Sequence, residues 1–146
     1  MKKMDMHLER YLTQHDAAIL SRLAETLLRE MDVKFNKGEQ LLQILTSAIL
    51  LPENVQKDDC VSLYSEVLYQ RLDTKEQHTV TIVCPYEATP ALARISALAP
   101  LALALVGVRV NSVVTVELLA DQFYEAKVLD VRSIRRSPME ALAEPS

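Results

Sequence analysis

The sequence predicts an α+β fold in which two helices precede a sheet that shelters a third, very short helix. Three observations carry this. Apolar residues recur at helical spacing from Ile19 to Ile49, and from Val61 the apolar period drops to two. Between these strands and the last ones, Ala99 to Val108 carries no charge and is bounded by Pro100 and by Gly107, one of only two glycines in the chain.

The first helix opens at Thr13-Gln14-His15-Asp16, where a hydroxyl and a carboxylate three residues later read as a capping box. Ile19, Leu23 and Leu27, widened by Leu20, Ala24 and Leu28, form one stripe, while Arg22, Glu25 and Arg29 face away. The pattern stops near Glu30. The polar run from Asp32 to Gly38 supplies a turn, to which Gly38 is assigned, and Leu41, Leu42, Leu45 and Ile49 begin a second helix. Pro52 cannot continue a helix and disfavours the α conformation before it, so that helix should end by Leu51. The pair reads as an αα-hairpin.

In the second half, Val61, Leu63, Ser65, Val67 and Tyr69 fall on one strand face. After turn formers at Asp73 to Gln77, Thr79 to Cys84 alternates again, which predicts an antiparallel pair closed by Pro85. Pro90 and Ala91 to Ala93 fit either a loop or a short helical turn. Pro100 suits a first helical position and Gly107 suits the left-handed stop after a helix, so about two turns lie between them. A helix that short does not survive alone and must be packed on nearly all sides, which accounts for its lack of charge. Val110 to Leu118 and Tyr124 to Ile134 read as strands around a turn at Ala120-Asp121-Gln122. The apolar phase slips between Val128 and Leu129, as a bulge or a doubly covered strand would produce. The expected organisation is a helical hairpin over residues 1–55, a sheet domain over 60–135 and a polar tail over 136–146.

Composition narrows the function. The chain has 146 residues, 49% hydrophobic and 25% charged, as in a globular protein with a core. Its 16 Lys and Arg against 20 Asp and Glu give a net charge of -4, so the cationic surplus that drives independent nucleic-acid binding is missing. Cys60 and Cys84 form no CxxC and are read as small, reduced, buried thiols. His7, His15 and His78 are scattered. No catalytic set, no metal site and no cofactor is therefore expected. The N-terminus lacks the apolar core of a signal peptide, and the stretch from Ala99 meets Arg109 too soon to span a bilayer, so a cytoplasmic protein with no membrane partner is expected.

Strand, strand, a Pro-to-Gly two-turn helix, strand, strand, with helices in front, resembles the Gre-type transcription elongation factors. The likeness rests on Ala99-Pro100-Leu101-Ala102-Leu103-Ala104-Leu105-Val106-Gly107-Val108-Arg109-Val110, with support from Val61 to Tyr69, Ile82-Val83, Ile95-Ser96 and Val128 to Val131. It is greatest to the shorter regulators of nucleoside diphosphate kinase (Rnk). The resemblance implies an FKBP-like C-terminal domain and an N-terminal hairpin that enters the secondary channel of bacterial RNA polymerase. In Gre factors the hairpin tip presents acids that help hold a catalytic magnesium ion, which activates water to cleave backtracked RNA.

Here Glu30, Asp32, Lys34 and Lys37 lie at the predicted tip, but the family's Gly-Asp-x-x-Glu-Asn motif is missing and the lysines compete for the acids. The shorter helix limits the arm to about 20 Å at 1.5 Å per residue, several turns less than a Gre arm. These features favour a non-enzymatic regulator that binds polymerase through those four tip residues. The alternatives are a cleavage factor using Glu30 and Asp32, and, from the fold implied by the resemblance alone, a peptidyl-prolyl isomerase. A monomer and a homodimer joined through the hairpin stripe both remain open.

Overall fold

The computed structural model describes residues 8–29, 37–53, 55, 58–118 and 121–133. Strand β1 (Tyr11–Leu12) leads into helix α1 (Gln14–Arg29), which begins where expected because the Thr13 hydroxyl accepts the Asp16 amide at 3.0 Å. The second half of the capping box departs from expectation. The Asp16 carboxylate is buried at 1% exposure and accepts the Leu63 amide at 3.1 Å, so it joins the helix to the sheet domain.

Helix α2 (Lys37–Ser47) starts one residue before Gly38, which therefore belongs to the helix and not to the turn. It also ends four residues before Leu51. The Ser47 hydroxyl bonds back to the Gln43 carbonyl at 2.8 Å, and the chain beyond is captured as strand β2 (Ile49–Leu50), parallel to β1. The Ile49 amide donates to the Arg10 carbonyl and the Leu51 amide to the Leu12 carbonyl. Helical period and proline position did not reveal this competing ladder. The helices pack on each other, and buried Leu20, Ala24, Leu41 and Ile44 belong to the same apolar core as the sheet.

The main sheet has five strands: β3 (Ser65–Arg71), β4 (Gln77–Val83), β5 (Arg94–Ser96), β6 (Val113–Glu117) and β7 (Phe123–Ser133). Their order is β5-β4-β3-β7-β6, antiparallel throughout except for β5, which runs parallel to β4 at the edge. The expected antiparallel sheet is thus mixed. β3 begins at Ser65, four residues later than the alternation suggested, because the Ser65 hydroxyl closes a turn on the Ser62 carbonyl at 2.7 Å and Tyr64 takes a φ of 69°. The inward set is unchanged: Val61, Leu63, Ser65, Val67 and Tyr69 are all buried.

The open segment resolves into 3₁₀ turns at Pro85–Glu87 and Pro90–Leu92, followed by β5. β6 is shorter than predicted because Asn111, at φ 78°, turns the chain and donates its amide to the Val128 carbonyl. The slip in β7 is a bulge: Leu68 pairs with Asp130 whereas Tyr69 pairs with Val128, leaving Leu129 as the extra residue.

Helix α3 (Pro100–Leu105) lies against β6 with Ala102, Leu103, Ala104 and Leu105 all buried. Its two buried leucines contribute about 3–6 kcal/mol. Fixing six backbones costs about 6–12 kcal/mol. The helix therefore depends on the surrounding strands, and Gly107 ends it at φ 81° as expected.

Candidate functional site

The root of the helical arm is built from extended chain. The Gly107 amide donates to the Val61 carbonyl, the Val61 amide to Val108, and the Tyr11 amide to Gly107 at 2.8 Å, while Arg10 forms an antiparallel bridge with Val108. Residues 10–12 thus lie between β2 and the strand-like run 107–109. A Cβ on Gly107 would sit 3.1 Å from both the Arg10 Cβ and the Tyr11 carbonyl oxygen, so the close approach requires glycine.

Arg10 supplies what α3 lacks. Its guanidinium Nη1 donates to the carbonyls of Leu103 at 3.0 Å, Ala104 at 3.4 Å and Val106 at 2.9 Å. The Val106 amide takes the Ala102 carbonyl and the Val108 amide takes that of Leu105. Every final-turn carbonyl of α3 therefore has a donor, and a cation stands at its negative end. This contact crosses more than ninety residues of chain, and no local pattern in the sequence signals it.

From this root α1 extends about 24 Å and α2 about 16 Å at 1.5 Å per residue. Arg22, Glu25, Arg29 and Glu39 are exposed on the arm. Of the expected tip residues, Glu30, Asp32 and Lys34 lie outside the described residues, as does the tail from 136. Lys37 is the first residue of α2, and its side chain is likewise outside the description. Among the described residues no three His, Cys, Asp or Glu side chains gather as metal ligands, and no helix is long and apolar enough to cross a membrane.

On the sheet domain, both cysteines are buried thiols outside any disulfide, as expected. Cys84 belongs to a cluster that the sequence did not suggest. The Tyr64 hydroxyl bonds to Glu87 Oε1 and lies 3.4 Å from Cys84 Sγ, while the Cys84 amide donates to the same carboxylate at 3.3 Å. Burial, then the contacts with Cys84 and Glu87, push the Tyr64 hydroxyl well above its ordinary pKa. At the other end of the sheet, Arg71 stacks 3.8 Å over the Tyr124 ring and forks onto Asp73, holding that carboxyl below its usual range. Glu66, Leu68, Thr79, Asp130 and Arg132 line a shallow depression of about 100 Å³. That is smaller than the few hundred Å³ usual for a small-molecule pocket.

The family model described as "Transcription elongation factor, GreA/GreB, C-term" matches residues 56–133, more than half of the 146 residues. The chain belongs to the GreA/GreB transcription elongation factor family. The matched span holds β3 to β7 and α3, and the arm precedes it. Transcription elongation factor GreA of Geobacillus kaustophilus is 35% identical over 79 residues, which are 54% of this chain and 50% of that protein. The match thus spans about half the length of the curated relative. A solved structure described as prokaryotic transcription elongation factor GreA/GreB from Nitrosomonas europaea shares the fold, with a TM-score of 0.65 and 20% identity over 85% of this chain and 98% of that one. Gfh1 of Thermus aquaticus superposes with a TM-score of 0.46 and 22% identity over 86% of this chain and 99% of that one. Within this Gre-family chain, Arg10 lies outside the matched span yet caps the short helix inside it.

Proposed function

We propose that this chain is an RNA-polymerase-binding regulator of transcription that acts at the secondary channel without stimulating transcript cleavage. The sheet domain docks near the channel, and α1 and α2, joined as an antiparallel hairpin, stand in the opening. The sequence of the expected tip carries this reading: the Gly-Asp-x-x-Glu-Asn motif of the cleavage factors is missing between Glu30 and Lys37, and the described helix α2 extends about 16 Å. The family membership of residues 56–133 supports the choice of partner, and the short arm together with Ala99-Pro100 favours the Rnk branch. At a net charge of -4, affinity comes from shape and local charge.

The test incubates the full chain with a stalled bacterial elongation complex and measures both co-purification with polymerase and the length of the transcript. Binding with RNA of unchanged length is the expected result. RNA shortening that disappears in Glu30→Ala and Asp32→Ala would instead assign the cleavage role to those acids. Absence of binding would reject both readings.

A further inference from the structure

We propose that residues 8–12 are a strap that makes the arm and the sheet domain one rigid body, with the Arg10 guanidinium as its pin.

The same residue serves both sides. The Arg10 carbonyl accepts the Ile49 amide at the foot of α2, and its side chain spans three carbonyls at the end of α3. Tyr11 adds a main-chain bond to Gly107, and Leu12 one to Leu51. A second tie lies in the first turn of α1, where Asp16 takes the Leu63 amide. Buried Leu12, Leu20, Leu63 and Val108 fill the space between these ties and belong to one core. A flexible linker would offer neither a planar cation fitted to a helix end nor a shared apolar core. Gly107 has a matching role, since a side chain there would press on the strap at Arg10 and Tyr11.

Amide residual dipolar couplings of the full chain test this directly. In the wild-type protein, couplings from α1 and α2 and those from β3, β4 and β7 are expected to fit one alignment tensor. In Arg10→Met, which keeps most of the stem and removes the cationic donor, the helices' alignment should fall to roughly half that of the sheet as segmental motion averages it. Sheet chemical shifts should hold meanwhile. A wild-type chain that needs two tensors would overturn the proposal, as would an Arg10→Met chain that still fits one. If Arg10→Met does not fold, Arg10→Gln replaces it with the same two outcomes, because its shorter, uncharged amide takes the cation away from the end of α3.

Discussion

The carboxylate of Asp16 accepts the main-chain amide of Leu63 at 3.1 Å, across 47 residues of sequence and inside the core. Asp16→Ala would leave that buried amide without its acceptor, at a cost of about 1–3 kcal/mol. Thr13→Ala removes only the helix cap and should cost about 1 kcal/mol. Urea unfolding of the two variants is expected to rank Asp16→Ala as the more damaging. Asp16→Asn retains an acceptor oxygen and should recover much of the loss. An Asn variant as weak as the Ala variant would locate the contribution in the charge at the start of α1.

Gly107 meets two separate demands. Its φ of 81° lies in the left-handed region, and an added Cβ would stand 3.1 Å from the Arg10 Cβ and the Tyr11 carbonyl. The backbone conformation alone costs a side-chain-bearing residue about 1–2 kcal/mol. Gly107→Ala should therefore lose more than that figure in chemical unfolding. The excess should shrink when Arg10 is also replaced by Gly, which removes the crowded Cβ, if the crowding adds to the strain.

The sequence displays whatever repeats along one element, and it hides what two distant elements do to each other. The α1 stripe, the inward set from Val61 to Tyr69 and the Pro100-to-Gly107 helix were legible because each follows its own period or carries its own stop residue. The slip at Leu129 was legible for the same reason. β5 was not, since three residues make no pattern, and the early end of α2 was not, because it depends on β1, more than thirty residues away. The Arg10 cap and the Tyr64 cluster were invisible, each assembled from segments remote in sequence. Of the four expected site residues, only the backbone of Lys37 lies among the described residues.

The bulge in β7 permits a sharp contrast between two deletions. Leu129 is the residue without a counterpart in β3, lying between the pairs Tyr69–Val128 and Leu68–Asp130. Removing it leaves Val128 and Val131 facing inward and Asp130 outward, so the variant should fold with a local loss of twist. Removing Lys127, two residues earlier, would force part of the strand to present its apolar residues to solvent. A cooperative thermal transition is expected for the Leu129 deletion and its loss for the Lys127 deletion. Equal damage from both would indicate that the bulge itself is required for the pairing of β7 with β3.

Tyr64 should make folding sensitive to alkaline conditions. Burial and its contacts with Cys84 and Glu87 raise its pKa above the ordinary 10.0, so the folded state favours the protonated phenol. A group with a raised folded pKa contributes stability that is complete below its unfolded value and is lost as pH climbs through the folded one. Stability should accordingly hold up to about pH 9 and decline above about pH 10. Tyr11, Tyr69, Tyr86 and Tyr124 are shifted in the same direction, so the wild-type decline includes them. Tyr64→Phe isolates the Tyr64 share. Urea midpoints measured across this range should fall less steeply in the variant than in the wild type. Ultraviolet titration of the folded wild-type protein should show one tyrosine that ionises only as the chain unfolds. A variant whose midpoint declines as steeply as the wild type would remove Tyr64 as the cause.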